Sequence, residues 1–339
     1  MAQNTAIIVP NWNGKESLGA CLDSLLGQSV KSTVIVVENA STDGSLEYIK
    51  KNYPEVELVV NKKNLGFAGG VNSGIKRALE LKRDAVALFN NDAVADKKWL
   101  ETLVARLKSD DALGIVTGKL MGEGGVKLDS TGDQYTVWGL PYPRGRGEKD
   151  AGKYDKSEEV FAASGGASLY RASMLKEIGL FDEDFFAYYE DVDISFRAQL
   201  AGWKVVYEPA AVAYHQIGAT SSKIKGFTTY QTMKNLQLLW YKNMPKKYMY
   251  KTGWRFFVAH TLFLFRAISR GQGISAIKGD LVGSWLLVKK RGDRKKIQAS
   301  KKVSDEYVWS IMTHDLPPNA KALRGLRRKW WKIKGNKHK

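Results

Sequence analysis

Residues 6–38 read AIIVPNWNGKESLGACLDSLLGQSVKSTVIVVE, and this stretch decides the fold. Ala6 to Pro10 is a short apolar run that reads as the first strand. Leu18, Cys21, Leu22, Leu25 and Leu26 then recur at helical spacing, and Thr33 to Glu38 is a second, β-branched run. The alternation continues. The loop Asn39-Ala40-Ser41-Thr42-Asp43-Gly44 is dense in turn and N-cap residues, and Leu46 to Tyr53 follows as a short helix. Val56 to Asn61 is a third strand, Val71 to Leu81 a helix, Ala85 to Asn90 a fourth strand, and Lys97 to Lys108 an amphipathic helix. This rhythm predicts an α/β fold with a largely parallel, doubly wound sheet covered by helices.

Beyond it, residues 122–159 are rich in Gly, charge and scattered aromatics and read as one long loop region; such loops inside compact domains are usually functional or disordered. Order returns at Val160, with helices expected at Arg171 to Ile178 and Val192 to Ala201 and strands at Lys204 to Tyr207 and Ala211 to Tyr214. No internal repeat is present.

The chain has 339 residues, enough for one large unit and an appendage, and charge shows where to divide it. Residues 227–339 hold 26 Lys and Arg against 5 acids, leaving 27 against 30 before them, so the net +18 is +21 in the tail and −3 in the body. We therefore expect a catalytic unit over 1–226 and a basic, mainly helical region over 227–339. Such a tail suits a polyanion, either nucleic acid or an anionic membrane surface. It carries 16 Phe, Trp and Tyr residues among basic clusters such as Lys289-Lys290-Arg291, Arg294-Lys295-Lys296 and Arg327-Arg328-Lys329-Trp330-Trp331-Lys332. Its longest uncharged apolar run, Phe256 to Phe265, falls well short of the roughly 20 residues a bilayer crossing needs. The expectation is a tail that lies on a membrane, packs on the body, or does both. The sole cysteine, Cys21, excludes an intrachain disulfide and suits a reducing, cytoplasmic setting. The N-terminus lacks the basic start and long apolar run of a secretory signal.

In a parallel α/β sheet, ligands sit beyond the carboxyl ends of the strands. Those ends carry Asn11-Trp12-Asn13-Gly14, Glu38-Asn39-Ala40-Ser41, Asn64-Leu65-Gly66-Phe67-Ala68-Gly69-Gly70 and Asn90-Asn91-Asp92. Together they offer groups to read a base and hydroxyls, a turn that permits close backbone approach, and a carboxylate for a divalent ion. In this order, and followed by Gly165-Gly166, Tyr189-Glu190-Asp191-Val192-Asp193 and Tyr214-His215, they resemble the family 2 glycosyltransferases of the GT-A fold, over roughly residues 5–220. Within the family the pattern is most similar to bacterial rhamnosyltransferases of cell-surface polysaccharide synthesis.

The resemblance implies a Rossmann-like nucleotide-diphospho-sugar transferase. It places Asp92 at the family's Asp-x-Asp position, holding Mg2+ or Mn2+ on the donor diphosphate, with Asn90 as a departure from the usual acid. His215 is implied as a second metal or diphosphate contact. Donor contacts are implied for Pro10, Asn11, Asn13, Glu38, Asn39, Ser41, Asn64, Gly66, Phe67, Gly70, Asn72, Asn90 and Asn91, and acceptor contacts for Gly165, Gly166 and Tyr189. Asp191 is implied as the base and Glu190 as its neighbour. Chemistry agrees: an inverting transfer needs a carboxylate to take the acceptor hydroxyl's proton, and a leaving diphosphate needs its charge neutralised. The plainer reading of Glu190, Asp191 and Asp193 is that acids in a first helical turn stabilise the helix dipole.

The implied partners are a dTDP- or UDP-sugar donor, a glycan or polyprenyl-diphosphate-linked acceptor, and an anionic membrane surface, with the protein peripheral at the inner face of the plasma membrane. Two other readings fit the residues less well. A nucleic-acid-binding protein working through its tail would want a basic body, and the body is slightly acidic. A nucleotidyltransferase would favour a cation immediately after the first strand, where none stands before Lys15.

Overall fold

The computed structural model describes residues 4–215 and 224–318, together with 320, 324 and 325. Its first half follows the expected alternation: β1 (Thr5–Asn11), α1 (Lys15–Leu26), β2 (Thr33–Glu38), α2 (Ser45–Asn52), β3 (Glu57–Val60), α3 (Gly66–Glu80), β4 (Ala85–Phe89), β5 (Ala93–Ala95) and α4 (Trp99–Lys108). β1 pairs in parallel with β2 and β4, and β2 with β3. α3 begins five residues before the sequence pattern suggests. Its glycines lower helix propensity, yet they permit close packing: a Cβ on Gly74 would lie 2.5 Å from Ile8 Cγ2 of β1.

The second half holds β6 (Leu113–Gly122), β7 (Leu128–Ser130), β8 (Asp133–Tyr135), β9 (Pro141–Pro143), β10 (Glu158–Glu159), β11 (Ala167–Arg171), α5 (Ala172–Ile178), α6 (Glu190–Leu200) and β12 (Lys204–His215). The sheet runs β10-β12-β6-β11-β4-β1-β2-β3, with β5 on β12 and β7 on β6; β8 and β9 pair separately. β11 is antiparallel to both neighbours, while β12 and β6 are parallel, so the sheet is mixed but mostly parallel.

Three details differ from the sequence expectation. Strands β6 and β11 were not anticipated; in β6, Gly114, Gly118 and Lys119 interrupt the apolar run, and Lys119 stays buried because Asp150 and Asp155 hold its Nζ at 2.9 and 2.8 Å. The two short strands near the end of the body are one strand, β12, whose register against β6 shifts between Glu208 and Val212. The region 122–159 is not a free loop: it contributes β7 to β10 and places Leu128, Tyr135, Val137 and Tyr154 in buried clusters.

One core lies beneath α1 and α4, a second beneath α3 and α5 on the other face. Among the described residues the helices α7 (Phe227–Asn243), α8 (Lys246–Ser269), α9 (Gly273–Lys289), α10 (Arg291–Ala299) and α11 (Asp305–Ser310) follow. They pack on the body through a third apolar cluster that joins Phe185 and Phe196 to Leu238, Leu239, Tyr248, Leu286 and Val308. Beside it Lys242, almost fully buried, reaches Asp182 at 2.6 Å and Asp193 at 2.9 Å. Among the described residues no helix is long and apolar enough to cross a membrane. The Arg327 to Lys332 cluster and the segment after His215 lie outside the described residues.

Candidate active site

The carboxyl edge of the sheet opens into a cavity of about 830 Å³, and Asp92, Asp191 and His215 all line it. Strand register brings the first and last together. β5 pairs with β12 so that His215 stands opposite Ala93, which sets the preceding Asp92 against the imidazole, with Oδ1 3.1 Å from Nε2. Asn90 Nδ2 also lies 3.1 Å from Nε2. On the other side of the ring, Nδ1 is 2.8 Å from Asp129 Oδ2, a residue of β7. Asp129 is buried and ion-paired with Arg146 at 2.7 Å. Burial disfavours the imidazolium, but the two carboxylates outweigh it and lift the His215 pKa to about 9.

These groups fit a divalent ion. Asp129 can hold a proton on Nδ1, so a cation that takes the place of the Nε2 proton would find Nε2 as its donor, the arrangement in which a second carboxylate orients a metal-bound histidine. Two ligands at right angles, each about 2.1 Å from one ion, stand about 3 Å apart, close to the observed Asp92–His215 separation. Among the described residues no group of three or more His, Cys, Asp and Glu could hold a metal. The protein thus offers two donors, which suits a hard ion that takes its remaining oxygens from phosphate and water.

Asp191 sits at the start of α6. Its Oδ2 accepts from the Gly165 N–H at 2.9 Å and its Oδ1 from the Val192 N–H at 2.8 Å. Burial raises its pKa, and the backbone donors offset only part of that rise. Glu190 is more deeply buried; burial first, then the Asp191 charge, pushes its carboxyl well above the usual range, and its Oε2 is buried without a hydrogen-bond partner. Gly165 has no room to spare, since a Cβ there would lie 3.3 Å from Asp191 Cβ.

The segment before Glu190 is strained. Phe186, Tyr188 and Tyr189 have φ of 63, 72 and 70°, a region costly for bulky side chains. α7 holds it in place: Asn235 Nδ2 lies 2.9, 2.8 and 2.8 Å from the carbonyl oxygens of Phe185, Ala187 and Tyr188. Lys234 Nζ donates to the Asp184 carbonyl at 2.8 Å, and burial lowers its pKa to about 8. Gly66 abuts the same segment, where φ of +71° and a Phe186 oxygen 2.4 Å from any added Cβ exclude a side chain.

Of the residues singled out in the sequence, Pro10, Asn11, Asn39, Asn64, Gly66, Phe67, Asn90, Asn91, Gly165, Gly166, Tyr189 and Glu190 also line the cavity. Asn13, Glu38, Ser41, Gly70 and Asn72 do not. Glu38 is buried, accepting from Asn11 Nδ2 at 2.8 Å and the Ser41 N–H at 2.6 Å, so it braces the loop after β1. Asn13 accepts from the Thr42 N–H, and Asn72 bonds both ways with the Phe181 backbone. Gly70 packs under Asn39. Sequence reasoning missed Asp129, Asp133 and Arg146, which line the cavity from the region 122–159, as well as Asn235; the only signal for the first three was the length of that region. Arg146 is the single Lys or Arg among the described lining residues. Burial and the charge of Asp191 raise the Asp133 pKa to about 7.

A mostly parallel sheet with β11 reversed at its centre, and acids and an imidazole gathered at its carboxyl edge, define the GT-A class of nucleotide-sugar transferase fold. Residues 2–235 match the family described as "Glycosyltransferase like family 2", and the chain belongs to that family. An N-acetylglucosaminyl-diphospho-decaprenol L-rhamnosyltransferase of Mycobacterium tuberculosis is 30% identical over 206 residues, 54% of this chain and 66% of its own. The low-salt glycan biosynthesis hexosyltransferase Agl10 of Haloferax volcanii is 23% identical over 207 residues, covering 59% and 62%. This chain thus spans about two thirds or less of these curated relatives. Among solved structures, S. aureus TarS 1-349 shares the fold with a TM-score of 0.54 at 17% identity, covering 92% of this chain and 93% of that one. The mannosyltransferase PcManGT from Pyrobaculum calidifontis, solved with GDP-Man and Mn2+, has a TM-score of 0.53 at 14% identity, covering 91% and 85%. The nucleic-acid reading of the tail gains no support from these relatives.

Proposed function

We propose that this protein is an inverting, divalent-metal-dependent glycosyltransferase. It moves a sugar, rhamnose being the first candidate, from a dTDP- or UDP-linked donor to a hydroxyl of a lipid-linked or cell-surface glycan. The observation that carries this reading is the convergence of Asp92, His215 and Asp191 from three separate elements on one cavity. Relatives lend the specifics: the mycobacterial protein is named for rhamnosyl transfer to a diphospho-decaprenol-linked sugar, and PcManGT was solved with Mn2+.

In this mechanism the donor lies along Pro10, Asn11, Asn39, Asn64, Phe67 and Asn90. Asp92 and His215 hold Mg2+ or Mn2+, which when bound neutralises the charge growing on the nucleotide diphosphate. Asp191 accepts the acceptor hydroxyl's proton; its raised pKa makes it a stronger base than a surface carboxylate. The acceptor oxygen forms its bond to the anomeric carbon as the bond to the diphosphate oxygen breaks on the opposite face, and the configuration inverts. Gly165 keeps Asp191 oriented, while Gly166 and Tyr189 flank the acceptor. Glu190, whose buried Oε2 has no hydrogen-bond partner, positions base or acceptor. Residues 1–226 form the catalytic unit, and 227–339 associate with an anionic membrane at the inner face of the plasma membrane.

The test is a panel of nucleotide sugars assayed for nucleotide diphosphate release with Mn2+ or Mg2+ and a lipid-linked acceptor analogue. Release from one donor, abolished by chelator and restored by metal, is the expected result. Release from none of the panel sinks the reading.

A further inference from the structure

α8 and α9 form a helical hairpin laid against α7, and its inner side is fixed by contacts. Phe256 of α8 stacks on Trp240 of α7 with ring centroids 4.7 Å apart. On α9, a Cβ at Gly279 would lie 2.3 Å from the Tyr230 carbonyl oxygen, and one at Gly283 2.9 Å from that of Lys234. The opposite side of each helix is apolar and uncovered. Tyr250, Trp254, Phe257 and Phe265 recur on α8 at helical spacing, turned about 100–180° from Phe256; on α9, Ile274, Leu281 and Trp285 lie opposite Gly279 and Gly283. All seven are between 59 and 78% exposed. Isolated exposed hydrophobics are ordinary, whereas a continuous face of this kind marks an interaction surface.

Charge identifies the occupant. Residues 246–296 carry 13 Lys and Arg against two Asp, and both acids are engaged, Asp280 by His260 at 2.8 Å and Asp293 by Lys290 at 3.0 Å. The exposed Lys246, Arg266, Arg270 and Lys278 have no acidic partner among the described residues. Two copies of such a face would repel each other, whereas anionic headgroups would neutralise the cations as the aromatic and aliphatic side chains enter the acyl boundary. Trp254, Trp285 and Tyr250 have the amphipathic rings favoured at that depth.

The hairpin also adjoins the cavity. Its turn meets the start of α7, where Thr229 hydrogen-bonds Gln272 and Gly226 lies against Ser275. Ile224, Phe227 and Thr228 from that same stretch line the cavity, and Ile224 is itself exposed. We infer that the outer face of the α8–α9 hairpin docks on an anionic lipid bilayer and seats the cavity's α7 side at the headgroup layer. A lipid-anchored acceptor then presents its sugar to Asp191 without leaving the membrane. This inference rests on the membrane reading of the tail given above, and it specifies which surface binds and how the site is oriented.

The test is co-sedimentation of the full chain with vesicles of phosphatidylcholine containing about one third phosphatidylglycerol. Wild type should bind, and binding should weaken with salt and without phosphatidylglycerol. Trp254→Glu, Phe257→Glu, Leu281→Glu and Trp285→Glu combined should weaken it by roughly 100-fold or more. A wild type that stays in solution, or a fourfold variant that binds equally well, overturns the inference. So does a wild-type dimer in lipid-free ultracentrifugation that the variant dissolves, since the face would then join two copies. Should the fourfold variant fail to fold, quenching by brominated lipids decides: it should be strong in wild type and largely lost in Trp254→Phe/Trp285→Phe, and undiminished quenching overturns the docking. Nucleotide diphosphate release with a water-soluble acceptor is measured in parallel. Turnover without vesicle binding removes only this inference; binding without turnover by any donor leaves it standing and removes the transfer reading.

Discussion

Replacing Asn235 by Ala tests whether α7 holds the base in place. The Asn235 amide has two protons for three carbonyl oxygens at 2.8–2.9 Å, so it makes the equivalent of two full hydrogen bonds. At about 1 kcal/mol each, with about 1 more for part-buried carbonyls left without a donor, the loss comes to about 2–3 kcal/mol. The segment it releases holds three bulky residues at positive φ, each storing about 1 kcal/mol or more, so it will relax once freed. Because Glu190 and Asp191 follow directly, a shift of about 1 Å should lower kcat by roughly 10- to 100-fold. Asn235→Asp should be worse, since it removes both protons and sets a charge against carbonyl oxygens. Urea unfolding followed by circular dichroism reads the first quantity, and nucleotide diphosphate release at saturating donor and acceptor the second. A loss of stability below about 0.5 kcal/mol, or a clear loss with wild-type turnover, refutes the reasoning.

Asp191→Asn should fold and still bind nucleotide diphosphate while kcat falls about 10²–10⁴-fold; full turnover would remove it as base. Asp92→Ala should fold and lose metal-dependent turnover, and activity indifferent to both chelator and this change would remove the metal. Lys242→Met removes the buried cation that Asp182 and Asp193 share, leaving each acid a single cation, Lys290 and Arg197 respectively, and should cost about 3 kcal/mol in a denaturant titration. Although burial opposes ionisation of these two acids, Lys242, helped by Lys290 at Asp182 and by Arg197 at Asp193, outweighs it and holds their carboxyls below the ordinary range; wild-type stability from them is therefore present above about pH 4 and lost as pH falls through the folded values. Asp133 has the opposite sign. With its pKa raised to about 7, the folded state binds the extra proton, so its ionisation costs stability as pH rises from about 4 to 7. Asp133→Asn should be more stable than wild type at pH 7.5 and equal to it near pH 4; an equal or lower denaturation midpoint at pH 7.5 contradicts this.

Much of the architecture was legible because period and punctuation are local properties. β2 matches its apolar run residue for residue, β1, α2, β4 and α4 shift by a residue or two at their ends, and α1 holds all five residues of its helical pattern. Where local preference and packing disagree, packing prevailed. Gly66 to Gly70 is helical in spite of its low propensity, Gly74 of the same helix packs against Ile8 and Val37 of the strands beneath it, and β6 is a strand despite Gly114, Gly118 and Lys119. The run of residue types along the chain also marked the positions at the strand ends that line the cavity. It did not separate Asn11, which lines the cavity, from Glu38, which turns away to brace Asn11 and Ser41, since both close a strand in the same way.

By itself the sequence determined the alternation of elements, the edge of the sheet where chemistry collects, the acids and imidazole available there, and the charge divide between body and tail. All are read from neighbours in the chain. The tertiary structure alone decided that His215 meets Asp92 through the pairing of β5 with β12, that Asp129 stands behind the ring 86 residues away, and that Asn235 grips the segment before Asp191. Those contacts depend on strand register and helix docking, which arise from burial summed over the whole fold and leave no local mark at the residues that meet.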